Sequence, residues 1–147
     1  MFFRFITLLV LVSFILHMVW EFAHHGLYTG YENLTPLPIY LWATIGDVLY
    51  TLVAFALASC FKHGIEWIKE ARWPDFLGLA TLGFFLALYV EYKALALGRW
   101  IYTPAMPIVP GFEVGLSPVL QMMLLLPLTL LIVSLIERQI NGYNKQI

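Results

Sequence analysis

Four stretches of this chain, residues 3–25, 39–61, 75–97 and 116–136, are apolar over the roughly 20 residues a helix needs to cross a bilayer. Charged, Pro-rich or Gly-rich segments separate them. That pattern predicts an all-α, integral membrane four-helix bundle forming one domain over residues 1–147. Composition agrees, since 61% of residues are hydrophobic and only 12% charged, against about a quarter charged in a soluble domain. The mean hydropathy is +0.83. A net charge of -1 offers no basic patch and argues against nucleic acid as a partner. Cys60 is the single cysteine, so no internal disulfide can form, and it reads as a small packing residue.

The first run starts like a signal peptide, with Arg4 ahead of an apolar stretch. It then continues as His17-Met18-Val19-Trp20-Glu21-Phe22 without a small-residue cleavage site, so an uncleaved first span is expected. Segments 26–38 and 98–115 carry Gly and Pro and read as loops, while 62–74 reads as a short interfacial connection. Asn33-Leu34-Thr35 fits a glycosylation sequon, a weak three-residue match. Ser117 and Pro118 suit the cap and first turn of the fourth span, and Pro127 suits a kink within it. Arg4, Lys62, Lys69, Arg72, Arg138 and Lys145 fall on one side and Lys93 and Arg99 towards the other. By the positive-inside rule both termini and the 62–74 loop are cytoplasmic, as in a bacterial inner membrane, and the two Gly/Pro loops face outwards.

Polar residues inside the spans mark a site. His17, Glu21, His24 and His25 fall on one helical face. At 1.5 Å per residue, His17 and Asp47 lie about 12 Å below the outer ends of their spans, Glu91 about 9 Å and Gln121 about 7 Å. Each helix therefore brings a polar group to a similar depth in the outer half, whereas the inner half carries almost none. Asp47 shares a stripe with Ala43, Thr51, Ala54 and Ala58, and Glu91 with Ala80, Gly83, Ala87 and Ala94. Small residues at such spacing are where membrane helices approach closely, so both carboxylates are expected to point into the bundle. A charge facing lipid at mid-membrane would cost roughly 2.5 to 3.5 kcal/mol, which pairing with His17 would relieve.

Three chemistries suit such a site. The first is acid–base catalysis on an isoprenoid or other hydrophobic lipid, of isomerase, cyclase or hydratase type, with no cofactor. Its catalytic candidates are Glu91, Asp47, His17 and Glu21, and its substrate-binding candidates are Gln121, Trp20, Trp100, Tyr102 and Arg99. The bland alternative makes Asp47, Glu91 and Gln121 helix–helix hydrogen-bonding groups, and Trp20, Trp42, Trp100, Tyr28, Tyr31 and Tyr102 an aromatic belt. The second chemistry is a transition-metal site from His24 and His25 with Glu21 and His17, although the Glu-x-x-His unit of di-iron bundles does not recur on a second helix. The third is a non-enzymatic transport or assembly protein, for which four spans would call for oligomerisation.

Trp20-Glu21, Tyr28, Gly46-Asp47, Glu91, Gly98-Arg99-Trp100-Ile101-Tyr102, Met106-Pro107 and Gly115-Leu116-Ser117-Pro118-Val119-Leu120-Gln121 together resemble a family of small, uncharacterised bacterial membrane proteins over most of the chain. That resemblance implies no activity. Residues 91–121, with Glu91, Gly98-x-Trp100-x-Tyr102-x-Pro104 and Pro118, are more weakly similar to lycopene-cyclase and carotenoid-hydratase membrane domains. Those domains carry Glu-Glu after the proline where this chain has Leu120-Gln121, so one acid of the cyclase pattern is missing. His17, Glu21 and Gly46-Asp47-Val48-Leu49-Tyr50 bear a vaguer similarity to the sterol-isomerase fold, whose Asn-x-x-Trp signature is absent.

Overall fold

The computed structural model describes residues 2–30 and 35–143. Tyr31, Asn33 and Leu34 of the sequon, and Lys145 lie outside the described residues. Four helices carry the fold: α1 (Phe2–His24), α2 (Pro36–Phe61), α3 (Trp73–Ala96) and α4 (Leu116–Tyr143). Each is long and apolar enough to cross a membrane. α4 runs on through Pro127 and ends seven residues beyond the expected Ile136.

The ends of the helices follow local chemistry. Proline occupies the first turn of both α2 and α3, where its missing N–H leaves no hydrogen bond unmade. Asp75 accepts the Arg72 backbone N–H at 2.9 Å and pairs with Lys62 Nζ at 2.6 Å, so the start of α3 is tied to the end of α2. α3 stops where Gly98 adopts φ +61°, the left-handed position that closes a helix C-terminus. The Arg99 N–H then returns to the Ala94 carbonyl at 2.9 Å.

α1 packs against α2 and α4, and α4 packs most extensively against α3, whereas α2 and α3 meet only sparsely. The helices thus form an incomplete ring, α2–α1–α4–α3, left open between α2 and α3. Periodicity explains how each helix contributes. On α1, Phe5, Leu9, Ser13, His17 and His24 are buried, while Leu11, Ile15 and Val19 are exposed. At the end of the bundle that holds the termini, the gap is plugged by a 3-10 helix, Glu66–Glu70. Ile68 is buried there, and Trp67 stacks on Phe55 at 6.1 Å.

That terminal end is less apolar than expected. Glu137, only 2% exposed, accepts two hydrogen bonds from the Arg4 guanidinium, at 3.0 and 2.7 Å. This clasp joins α1 to α4. Sequence reading ended the fourth span one residue before Glu137 and so placed it outside the bundle.

At the opposite end, β1 (Tyr28–Thr29) and β2 (Ile101–Tyr102) pair antiparallel, Tyr28 opposite Tyr102. This two-stranded clip draws the 98–115 loop over the ends of α1 and α3. The small-residue stripe of α3 acts at Gly83, where an added Cβ would lie 2.5 Å from the Met122 carbonyl oxygen of α4. Because the obstacle is backbone, the two helices must separate to admit any side chain. Gly83→Ala is therefore expected to cost about 1–3 kcal/mol, read as earlier unfolding in a denaturant titration of the detergent-solubilised protein, and an unchanged midpoint would contradict this packing.

Candidate functional site

Between α2 and α3, at the end carrying the β clip, lies a cavity of about 680 Å³. Its size falls within the range of pockets that take drug-sized molecules. All four helices line it: Glu21 and His24 from α1, Asp47 from α2, Glu91 from α3, and Gln121 from α4. Arg99 and Trp100 contribute from the loop after α3.

The wall formed by α1, α2 and α4 is organised by one amide. Gln121 Nε2 donates to Asp47 Oδ2 at 2.7 Å and to Glu21 Oε1 at 3.1 Å, and lies 3.1 Å from His17 Nδ1. Thr51 donates its hydroxyl hydrogen to the Asp47 carbonyl at 2.9 Å, so at 3.0 Å it can only accept from His17 Nε2. The imidazole therefore carries its hydrogen on Nε2 and presents Nδ1 as an acceptor towards Gln121. With the amide turned over, its carbonyl oxygen would face two carboxyl groups and a ring acceptor.

Hydrogen counting takes this further. The amide has two hydrogens for three acceptors, two of them carboxyl oxygens that it draws to one nitrogen. His24 completes the wall: its Nε2 lies 3.2 Å from Glu21 Oε1, and its Nδ1 lies 2.8 Å from Ser117 Oγ.

The α3 wall is separate. Glu91 Oε2 accepts from Trp100 Nε1 at 3.3 Å and from the Tyr102 hydroxyl. Both donors stand on the same Oε2, which leaves Oε1 as the uncommitted oxygen. Tyr28 bridges the two walls, its ring 5.2 Å from His24, 6.1 Å from Trp100 and 5.7 Å from Tyr102. Burial pushes both tyrosine phenols above the ordinary range. The Glu91 carboxyl adds to the effect, by its charge on Tyr28 and by its hydrogen bond on Tyr102, so each remains an O–H donor.

The structure brings Glu21, Asp47, Glu91, Gln121, Trp100 and Arg99 to one cavity. It moves others of the sequence-predicted residues. His17 is 0% exposed and stands behind Gln121, off the cavity surface. Its Nδ1 is 3.6 Å from Asp47, so the expected direct partnership is replaced by one through the amide. Trp20 also stays off the cavity surface, its Nε1 buried without a hydrogen-bond partner among the described residues, and Tyr102 reaches the cavity only through Glu91. His25 does line the cavity, its Nδ1 also donating to the Phe22 carbonyl at 2.9 Å. Among the described residues no three His, Cys, Asp or Glu side chains form a group able to hold a metal ion, so His17, Glu21, His24 and His25 share a face without converging.

Sequence reading missed several members of the site. Thr51 sits four residues after Asp47, where a helical hydroxyl meets the preceding turn's carbonyl, and that spacing was visible. Ser117 read as a helix cap but serves His24, and Tyr28 read as belt because its pairing with Tyr102 depends on residues 74 positions away. Compared with known protein families, curated proteins and solved structures, the chain finds no match.

If Gln121 holds the wall together, Gln121→Met should remove the two hydrogen bonds its amide hydrogens can make while keeping the volume. At about 0.6 kcal/mol for each interhelical bond in a membrane, the loss is about 1 kcal/mol. Equilibrium unfolding of the variant in detergent micelles checks it, and wild-type stability would show that the amide is a bystander.

Proposed function

We propose that this chain is an integral membrane protein of the inner-membrane type, with both termini cytoplasmic, whose cavity performs acid–base chemistry on an isoprenoid or similar hydrophobic lipid. The exposed surface supports the membrane reading. Large apolar side chains such as Leu11, Ile15, Leu49, Phe85, Leu128 and Leu131 face outwards, as they would towards lipid. Charge bias along the chain supports the orientation, which puts the cavity in the outer half of the bilayer.

One observation carries the catalytic reading: two acid–base centres occupy different walls of one cavity. Glu21 and Asp47, which share the Gln121 amide, are one, and Glu91 with its two donors is the other. Shifting a double bond requires a proton to arrive at one carbon and leave from another, so two such groups on either side of a bound chain suit an isomerisation. Protonation followed by capture of the cation by water, or by a second alkene of the same molecule, would use the first centre in the same way. Tyr28 and Trp100 present aromatic faces that would stabilise positive charge developing between the walls. His17, Thr51 and Gln121 position the acid pair without touching the substrate.

Asp47→Asn and Glu91→Gln, made separately, keep the shape of each side chain. Each is expected to deplete one lipid product of the producing cells about a hundredfold while the folded protein persists in the membrane. Unchanged lipids with intact protein would contradict the catalytic reading and favour transport or assembly. Loss of the folded protein in both variants would make the carboxyls structural.

A further inference from the structure

α2 lays seven residues along the cavity, and three of them, Trp42, Gly46 and Tyr50, stand four residues apart on one stripe. Gly46 is thus a notch between two aromatic rings. A Cβ built there meets no atom within 4 Å, so the notch opens onto empty space. Trp42 lines the cavity and is nonetheless 73% exposed, which marks where the cavity wall becomes the outer surface of the bundle. Opposite stand Ala87 and Val90 of α3, on the side where α2 and α3 hardly touch. The 3-10 helix closes this gap at the terminal end, through Ile68 and the Trp67–Phe55 stack. The β clip and its loop cover the ends of α1 and α3. Among the described residues, the side between α2 and α3 is left open.

We infer that this gap is a lateral portal through which a single-chain amphiphile with a small uncharged polar end passes from the outer leaflet into the cavity, and that Gly46 sets the girth of what passes. The inference rests on the membrane reading above. The chain class follows from the lining: the polar end must lie among Glu21, Asp47 and Glu91, three carboxyls against the one guanidinium of Arg99 in the described lining, so an anionic head group would meet net repulsion while a hydroxyl would find both donors and acceptors. Small side chains at Gly46 and Ala87 leave room for one chain between the aromatic rings.

Photolabelling in bilayers tests admission separately from turnover. The full chain is placed in phosphatidylcholine vesicles containing a sixteen-carbon alcohol with a mid-chain diazirine, irradiated, digested and mapped by mass spectrometry. Adducts are expected on cavity residues of α2 and α3 as well as on the outward faces around Leu49 and Phe85. Gly46→Leu should cut the cavity adducts about tenfold or more, with outward adducts unchanged as the sign of a correctly inserted fold. Gly46→Ala should cut them less, and the corresponding alkyl phosphate should label the cavity about tenfold less than the alcohol. Absence of cavity adducts in the wild-type protein would overturn the portal. Equal cavity labelling of wild type and Gly46→Leu would overturn the role of Gly46, and equal labelling by the phosphate would overturn the uncharged polar end. Asp47→Asn and Glu91→Gln should still admit the alcohol, so cavity labelling of wild type and both variants alongside unchanged cell lipids would defeat the catalytic reading and leave the portal standing.

Discussion

The side-chain amide of Gln121 is the interaction on which the polar interior depends. From α4 it reaches His17 and Glu21 on α1 and Asp47 on α2, so one nitrogen ties three helices together at one depth. An amide suits the place because it brings two hydrogens and no charge to a point where two carboxyls already meet. A lysine there would neutralise the acids, and a leucine would leave them without donors. Behind the amide, His17 and Thr51 pass the hydrogen-bond chain back to the α2 backbone, which fixes the imidazole tautomer and the amide's orientation.

Around that hub the helices divide the work. α4 is the central helix, joined to α3 by close approach at Gly83 and to α1 by the Arg4–Glu137 clasp. α2 is held through α1 and, at the terminal end, through Trp67 against Phe55. Because α2 and α3 are each supported from behind, they need not touch, and the space between them can remain a cavity. Glu91 is kept on the far wall by Trp100 and Tyr102, whose loop is pinned by the Tyr28–Tyr102 strand register. The distance between Glu91 and the Glu21–Asp47 side of the cavity is thus set by backbone pairing and helix packing, not by the reach of flexible side chains.

Much of this was legible in the sequence, for a physical reason. Apolar runs long enough to span a bilayer have few alternatives to helices, and an ionisable residue within such a run must turn inwards. Asp47, Glu91 and Gln121 could therefore be expected at similar depth, and all three reach one cavity. What sequence spacing cannot give is the order of helices around the ring, and that order decides who touches whom. It puts Gln121 between His17 and Asp47, and it leaves α2 and α3 apart. Glu137 escaped notice because an apolar-run criterion ends a helix at its first charge, while Arg4 on another helix makes that charge tolerable. The role of Tyr28 arises from a two-residue strand too short to leave a periodic signal.

Solid-state NMR of the isotopically labelled protein in lipid bilayers reads the hub directly. The account predicts that the Gln121 side-chain nitrogen shows through-space contacts to the carboxyl carbons of both Asp47 and Glu21 and to the His17 ring, with His17 Nε2 protonated and Nδ1 bare. A Gln121 amide in contact with only one helix, or a His17 ring with its hydrogen on Nδ1, would contradict it.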